Sequence, residues 1–152
     1  MNQQFYVVTD GSAIGNPGPG GWAAVLVNGR MQWEISGGSS WTTISEMELM
    51  AAIQALRSIP ARSKVNLYSD SDYLIRGMND LTTRWKNRGW RNRRGLPLQH
   101  QGLWRELLQL EKGVRIRWTW VRGHSGHRLQ ARADELAYAE ARHRRLALRR
   151  AA

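Results

Sequence analysis

Three short segments of apolar and β-branched residues at the start of the chain predict three strands. Phe5 to Val8 is a continuous apolar run, Trp22 to Val27 is a second, and Met31 to Ser36 alternates apolar and polar positions. Asn28-Gly29 separates the last two runs and is the strongest short signal for a hairpin. We therefore expect an antiparallel meander of three strands, followed by a loop over Gly37 to Trp41.

The apolar period then changes to that of a helix. Leu49, Ile53 and Leu56 recur at helical spacing, and Pro60 is expected to end that helix. The remaining predicted elements, in chain order, are a strand over Lys64 to Ser69, a helix that begins at Ser71, a helix over Leu103 to Leu110, a strand over Val114 to Val121 and a helix that begins near Leu129. This order predicts an α/β fold in which helices flank a five-stranded mixed sheet, with three antiparallel strands followed by parallel ones.

The length of 152 residues fits one domain with one hydrophobic core. We expect this domain to span residues 1–142 and the Arg-rich segment 143–152 to form a flexible tail. The chain has no cysteine, which excludes disulfides and thiolate metal ligands. Its longest apolar run is too short to span a bilayer, and its start lacks the charged region of a signal peptide. These features predict a cytoplasmic protein without a membrane partner.

Positive charge is concentrated in two segments. The chain has 23 Lys and Arg against 12 acids, a net charge of +11, which favours a polyanionic partner. Six basic residues lie between Arg84 and Arg94 and five between Arg142 and Arg150, with no acid in either segment. A solvated basic face would account for the cations of the first segment but not for Trp85 and Trp90 among them. We therefore interpret residues 81–98 as a basic insert that binds nucleic acid.

Four acids occupy similar positions in the predicted elements. Asp10 and Asp70 each follow a strand, whereas Glu48 and Asp134 lie near the starts of helices. Asp10 could be a turn residue, and Asp70 could be a helix N-cap. Glu48 could complete a capping box with Ser45, and Asp134 could complement the helix dipole. Each acid therefore has a local explanation of its own.

A single site would explain all four acids at once. Four carboxylates within a few ångströms of one another could not all ionise unless divalent cations lay among them. Oxygen ligands suit Mg²⁺ or Mn²⁺, and two such ions about 4 Å apart cleave or join phosphodiesters. Together with the basic surface, this predicts a nuclease. His124, on a glycine-flanked loop after the fifth strand, is a candidate proton carrier.

Seven short motifs surround these residues. In chain order they are Thr9-Asp10-Gly11-Ser12, Gly15-Asn16-Pro17-Gly18-Pro19-Gly20-Gly21, Glu46-Met47-Glu48-Leu49-Met50-Ala51-Ala52, Ser69-Asp70-Ser71, Trp85-Lys86-Asn87-Arg88-Gly89-Trp90, Trp120-Val121-Arg122-Gly123-His124-Ser125-Gly126-His127 and Ala133-Asp134-Glu135-Leu136-Ala137. With these motifs the chain resembles the bacterial ribonuclease HI family, of type 1 ribonuclease H, from about residue 5 to residue 142. The resemblance implies a ribonuclease H-like fold with a basic protrusion over residues 81–98.

The resemblance also implies an activity and a set of site residues. The activity is endonucleolytic hydrolysis of the RNA strand of an RNA–DNA hybrid, which leaves 5′-phosphate and 3′-hydroxyl ends. By position, Asp10, Glu48, Asp70 and Asp134 would hold two Mg²⁺ during catalysis, with Mn²⁺ able to substitute, and His124 would move protons or help to release product. The protrusion would grip the DNA strand. The residues implied in substrate binding are Asn16, Thr43, Ser71, Trp85, Lys86, Arg88, Trp90 and Trp104. We expect a monomer with no obligate protein partner.

Several positions depart from the family pattern. Ile44-Ser45 stands where two Asn are usual, Asp72 replaces a Gln, Gly102 an Asp, Arg128 a Pro and Gln130 an Asn. None of these is one of the four acids. We therefore expect normal chemistry with altered substrate affinity or metal dependence.

Two other classes of protein compete with the nuclease. A hybrid-binding module without catalysis would gain nothing from four clustered acids, since it must attract a polyanion. A DNA enzyme of related fold, such as a junction resolvase or a transposase core, would usually add a DNA-reading domain, and the Trp-rich basic insert fits the hybrid nuclease better.

Overall fold

In a computed structural model of the chain, which describes residues 3–124 and 126–152, five strands form one mixed sheet. Met1, Asn2 and Ser125 lie outside the described residues. The strands are β1 (Gln4–Ala13), β2 (Gly18–Asn28), β3 (Met31–Thr42), β4 (Lys64–Ser69) and β5 (Arg115–Trp120). They lie in the order β3-β2-β1-β4-β5, with β1 to β3 antiparallel and β4 and β5 parallel to β1. The predicted sheet is confirmed, including the hairpin that joins Asn28 to Met31.

Helices cover both faces of this sheet. They are α1 (Ile44–Arg57), α2 (Asp72–Arg76), α3 (Thr82–Asn87), α4 (Gln101–Glu111) and α5 (Arg128–Ala151), with a π-helical turn over Gly77–Leu81 between α2 and α3. The main core, which includes Val7 of β1, packs under α1 and α4, whereas the neighbouring Val8 packs with Ala133 of α5. Because successive side chains of a strand point to opposite faces, α1 and α5 lie on opposite sides of the sheet.

Two strands are longer than the apolar pattern predicts. Strand β1 continues past Val8 to Ala13, and β3 includes Gly37 to Trp41, which we expected to form a loop. Small residues allow a helix to approach this end of the sheet: a Cβ on Gly21 of β2 would lie 2.1 Å from the carbonyl oxygen of Ala137 in α5. These residues therefore pair as strands although their composition is typical of turns.

The start of α1 also differs from the prediction. Its N-cap is Thr43, whose Oγ1 accepts a hydrogen bond from the backbone N–H of Glu46 at 3.1 Å. Ser45 lies inside the helix, so the capping box of Ser45 and Glu48 was wrong. The carboxylate of Glu48 is consequently not needed at the helix terminus.

The C-terminal segment is helical. Helix α5 runs without a break to Ala151, where we expected a flexible tail over residues 143–152. Arg, Ala and Leu, which make up most of that segment, have high helix propensity. The segment also touches the sheet, because a Cβ on Gly38 would lie 3.1 Å from Cγ of Arg144. Local propensity and this contact together extend the helix past residue 142.

Gly11 provides a test of the close approach between β1 and α1. A Cβ at this position would lie 2.6 Å from the backbone nitrogen of Glu48. Gly11→Ala should lower the free energy of unfolding by about 1–3 kcal/mol, because backbone must move to admit the methyl group. Urea unfolding measures this change.

The matched control is Gly102→Ala in α4, where a Cβ meets nothing within 4 Å. This variant should be neutral or stabilising by up to about 1 kcal/mol, since alanine is the better helix former. Equal stability of the two variants would contradict the packing described for Gly11.

Candidate active site

Asp10 and Asp70 are neighbours because of the register between two parallel strands. Val8 of β1 pairs with Tyr68 of β4, and the same register continued by two residues sets Asp10 beside Asp70. Asp70 directly follows β4, as predicted. Asp10 does not end its strand, contrary to the prediction, because β1 continues in antiparallel pairing with β2, where Asp10 lies opposite Ala23. The turn-residue interpretation of Asp10 was therefore wrong.

Glu48 reaches the same place from α1. Glycine at position 11 lets this helix lie directly against β1, so the backbone of Glu48 sits next to Gly11. The side chains of Asp10 and Glu48 are each only 5% exposed. Asp70 is half-buried.

The acids form one cluster. Ligand oxygens of Asp10, Glu48 and Asp70 all lie within 4.8 Å of one another. Asp134, in the second turn of α5, hydrogen-bonds the side chain of Asp10 and acts electrostatically on Asp70. Asp10, Asp70 and Asp134 also line one small cavity of about 110 Å³. Folding thus gathers all four acids, which are far apart in sequence.

Burial and mutual repulsion raise the pKa values of three of these acids. Burial is the largest cause of the rise in the pKa of Asp10 to about 8, and the charge of Asp70 is the next. The pKa of Glu48 is well above its usual value, chiefly because of burial and then because of Asp10. The pKa of Asp70 is raised by burial and by Asp134. Without a cation, the cluster therefore holds protons that isolated carboxyls would release.

The donor set fits a divalent cation. Oε2 of Glu48 is buried and has no hydrogen-bond partner among residues 3–124 and 126–152. No Lys or Arg of those residues forms an ion pair with any of the four acids. A buried carboxylate cluster that has an unpaired oxygen and no basic counter-ion is costly unless a cation binds to it. Oxygen-only ligands favour Mg²⁺ or Mn²⁺ over softer metals.

His124 lies at the rim of the acid cavity. It is exposed, lines the cavity together with Asp70, and has a φ of 55° in the left-handed region, which is uncommon for a residue other than glycine. The adjacent Gly123 lets the loop approach, because a Cβ there would lie 2.8 Å from Oδ2 of Asp70. An exposed imidazole beside the acids is placed to exchange protons with solvent.

Four further residues line the cavity and were not among the predicted site residues. They are Gly126, His127, Gln130 and Ala131, at the end of the loop and the start of α5. Gln130 had been noted only as a departure from the family pattern. The helical period could have found Ala131, since it lies three residues before Asp134 and shares its face.

A larger cavity of about 530 Å³ lies beside the acid cavity and also includes His127 and Gln130. Its other lining residues are Tyr6, Val8, Val27, Tyr68, Val121 and Leu129. Its lining has no carboxylate and is mainly apolar, so it offers fewer metal ligands than the acid cavity does.

Three predicted substrate-binding residues cap helices near the acids. Oδ1 of Asn16 accepts a hydrogen bond from the backbone N–H of Ile44 at 3.0 Å, next to the N-cap Thr43. Oγ of Ser71 accepts one from the backbone N–H of Leu74 at 3.1 Å and caps α2. Asp70 is therefore not the N-cap of that helix. The structure gives these side chains a local role, and their contact with substrate stays a prediction.

The tryptophans predicted to bind substrate are largely internal. Trp104 is fully buried and Trp90 is 8% exposed, which leaves little of either ring for stacking, and their contact with substrate stays a prediction. Trp85 is half-buried, with its ring 4.9 Å from that of Trp104. These rings anchor the basic insert to the core. Packing alone therefore explains why Trp residues occur among the cations, and stacking on bases is not needed to explain them. Lys86 and Arg88 are exposed, as phosphate binding requires.

Asp72, a departure from the family pattern, stands apart from the acid cluster. It is exposed and pairs with Arg76 at 3.6 Å, one turn further along the helix. It is absent from the group of described acids whose oxygens could share a metal. Its charge is thus partly compensated away from the cluster.

A buried cluster of carboxylates that could hold a metal ion, on an α/β sheet with a strongly basic surface, is typical of a metal-dependent nuclease. Comparison with known proteins identifies the family. A family model described as RNase H matches residues 2–142, and the chain belongs to the RNase H family.

Individual relatives match along most of their length. Ribonuclease H of Cupriavidus metallidurans is 46% identical over 135 residues, which are 89% of this chain and 93% of that protein. Ribonuclease H of Hahella chejuensis is 47% identical over 131 residues, 86% of this chain and 88% of that protein. The crystal structure of LC9-RNase H1, described as a type 1 RNase H with the type 2 active-site motif, matches with a TM-score of 0.86 at 29% identity and covers 95% of this chain and 74% of that one.

Family membership confirms the predicted fold and class of enzyme. The chain is a ribonuclease H, and enzymes of this kind hydrolyse the RNA strand of RNA–DNA hybrids. The family is metal-dependent, in agreement with the acid cluster. No helix among the described residues combines the length and apolar character needed to cross a membrane.

The raised pKa of Asp10 predicts how stability depends on pH when metal is removed. The folded state holds a proton on Asp10 up to a pKa of about 8, whereas the unfolded chain releases it near 3.8. Folded protein therefore binds more protons between these values, so the free energy of unfolding falls as pH rises from about 4 to 8.

Asp10→Asn removes this titration. In EDTA at pH 8, Asp10→Asn should be more stable than the unsubstituted chain by at least about 1 kcal/mol, since one pKa unit corresponds to about 1.4 kcal/mol. Urea unfolding at pH 5 and pH 8 measures the difference. Glu46→Gln, on the same helix as Glu48 but outside the cluster, serves as control and should show no such gain. A loss of stability in Asp10→Asn would contradict the cost assigned to a charged carboxylate at position 10.

Proposed function

We propose that Asp10, Glu48, Asp70 and Asp134 hold Mg²⁺ for endonucleolytic hydrolysis of the RNA strand of RNA–DNA hybrids. The observation that carries the proposal is the convergence of Asp10, Glu48 and Asp70 oxygens within 4.8 Å, with one buried oxygen of Glu48 unpaired among the described residues. When bound, Mg²⁺ supplies positive charge that acidifies the attacking water and offsets charge on the leaving oxygen. Mn²⁺ has the same ligand preference and could substitute.

His124 and the four acids have separate roles in the hydrolysis. A water molecule attacks the scissile phosphorus and the bond to the 3′ oxygen breaks, which leaves a 5′-phosphate and a 3′-hydroxyl. His124, exposed at the cavity rim beside Asp70, exchanges protons with the reacting groups or assists product release. Asp10, Glu48, Asp70 and Asp134 would hold the cation in a fixed place, because two strands and two helices set the positions of these acids.

Substrate recognition involves surfaces on either side of the acids. Lys86 and Arg88 are exposed on the basic insert and can bind phosphates of the DNA strand. Asn16 and Thr43 lie together at the start of α1, where polar groups can meet the shallow minor groove of the hybrid. Selection of RNA must depend on the 2′-hydroxyl, since this group distinguishes the strands. The structure of LC11-RNase H1 in complex with an RNA/DNA hybrid shares the fold of this chain, with a TM-score of 0.72 at 21% identity.

We further propose that the protein acts as a monomer in the cytoplasm without an obligate protein partner. One chain supplies all four acids, so no second copy is needed to complete the cluster. Elution as a single-chain species in size-exclusion chromatography with light scattering would support this proposal.

Cleavage of matched duplexes tests the activity against its rivals. With Mg²⁺, RNA–DNA should be cut in its RNA strand, while DNA–DNA and RNA–RNA of the same sequence should stay intact. Asp10→Asn and Glu48→Gln should each lower kcat by at least about 100-fold, because charge that holds the cation is lost. Glu46→Gln should keep kcat within about twofold. Cutting of DNA–DNA alone would indicate a resolvase, and tight hybrid binding without cutting would indicate a binding module.

His124→Ala tests the proton-transfer role. We expect kcat to fall by about 10- to 100-fold with little change in KM, because general acid–base catalysis is lost while the acids remain. Added imidazole should restore part of the rate. His143→Ala, at an exposed position on α5, is the control and should behave like the unsubstituted enzyme. An unchanged kcat in His124→Ala would remove His124 from the mechanism.

A further inference from the structure

Helix α5 carries a continuous side-chain row that begins in the acid cavity. Ala131 and Asp134 line the cavity. Spacings of three or four residues continue the same helix face at about 100° per residue. The next residues on this face are Tyr138, Arg142, Arg145 and Arg149, which we call the α5 stripe. Because α5 is one helix to Ala151, the stripe keeps a fixed direction from Asp134.

The stripe has the chemistry of a surface that binds nucleic acid. Tyr138 is 47% exposed, and the guanidinium of Arg142 lies over its ring at 5.9 Å. Arg142 and Arg149 are exposed, while Arg145 is partly buried. An aromatic ring among arginines can contact sugars and phosphates together.

The arginines of the stripe are not neutralised by the protein. Among the described residues, no carboxylate lies within ion-pair distance of Arg142, Arg145 or Arg149. The two nearest acids on the helix are engaged elsewhere: Glu135 pairs with Arg132 at 3.0 Å, and Glu140 accepts a hydrogen bond from Ser36. The stripe therefore presents uncompensated positive charge.

We propose that the α5 stripe binds the phosphate backbone of the substrate duplex outside the cut site. This inference rests on the proposed function, since it takes the scissile phosphate to lie at the four acids. A rise of about 1.5 Å per residue puts Arg142 about 12 Å and Arg149 about 22 Å from Asp134 along the helix axis. At about 3.4 Å per base pair, these distances allow contacts up to about three to six base pairs from the cut, reached in full when α5 runs along the duplex axis. The α5 stripe therefore adds contacts with the duplex on one side of the cut only.

Duplexes with asymmetric flanks test the proposal. A short ribonucleotide segment within a DNA strand confines the cut, and the duplex on either side is made about 2 or about 15 base pairs long, so that the short flank ends before Arg142 and only the longer flank extends past Arg149. The test variant is the triple change Arg142→Gln, Arg145→Gln and Arg149→Gln. The charge-matched control is Lys64→Gln, Arg115→Gln and Arg117→Gln, exposed positions on β4 and β5.

The expected result is specific to one flank. The stripe triple should raise KM about tenfold when the flank on one side is long, leave kcat unchanged, and have no effect when that flank is short. For the stripe triple, the slope of log affinity against log salt concentration should decrease in magnitude by about 2 to 3, because each lost phosphate contact contributes about 0.9 to that slope. The control triple should leave KM within about twofold at every flank length.

Three outcomes would overturn the proposal. They are an equal rise in KM for both triples, a rise that does not depend on flank length, and no rise at all. The first would be expected if the stripe bound an acidic protein or a lipid surface and affected the enzyme only through net charge. Circular dichroism shows whether the Gln triple has lost helix α5. The triple change of the same arginines to Lys keeps the positive charge and should retain the affinity for the long-flank duplex.

Failure of the proposed function would look different. The unsubstituted enzyme should cut the short-flank duplex without any contribution from the stripe, so absence of cutting there contradicts the proposed function alone. Fluorescence anisotropy in EDTA measures the flank dependence of binding independently of cleavage.

Discussion

Burial and mutual repulsion of four carboxylates are together the constraint on which the rest of this structure depends. Asp10, Glu48 and Asp70 lie with oxygens within 4.8 Å, two of them almost fully buried, and Asp134 hydrogen-bonds Asp10. Such a cluster opposes folding whenever its members are charged, as the raised pKa of Asp10 shows. The rest of the fold must overcome this cost, and it does so with a core beneath α1 and a second beneath α5. A cation that binds the cluster offsets the repulsion among the carboxylates and supplies the positive charge that phosphodiester hydrolysis requires.

Small residues make the convergence geometrically feasible. Gly11 brings α1 against β1, Gly21 brings α5 against β2, and Gly123 brings the loop of His124 against Asp70. At each of these positions a single Cβ would overlap an atom of the neighbouring element. The acids supply the chemistry, but backbone contact at glycine sets the distances between them. Substitutions at these glycines are therefore expected to act on the site without changing any of its ligands.

The sequence predicted the sheet, its order of helices and strands and the four acids, because hydrophobic period and motif order are local signals. It failed where tertiary contact decides. Residues 37–41 form a strand although their composition is typical of a loop, and α5 continues past residue 142 into the segment for which we predicted a flexible tail. Trp90 and Trp104 were assigned to substrate because Trp among cations is typical of binding surfaces, yet both pack inside. Burial of a ring depends on partners such as Gly77, whose missing Cβ makes room for Trp104, and no local pattern reveals that pairing.

Calorimetric titration of Mg²⁺ into the metal-free protein at pH 8, at fixed ionic strength, tests the central claim most directly. The account predicts saturable binding with release of protons from the cluster, seen as a binding heat that depends on the ionisation enthalpy of the buffer. The same titration of Asp10→Asn should show weaker binding and fewer protons released. Binding of equal strength and equal proton release in both proteins would show that the four acids do not act as one cation site.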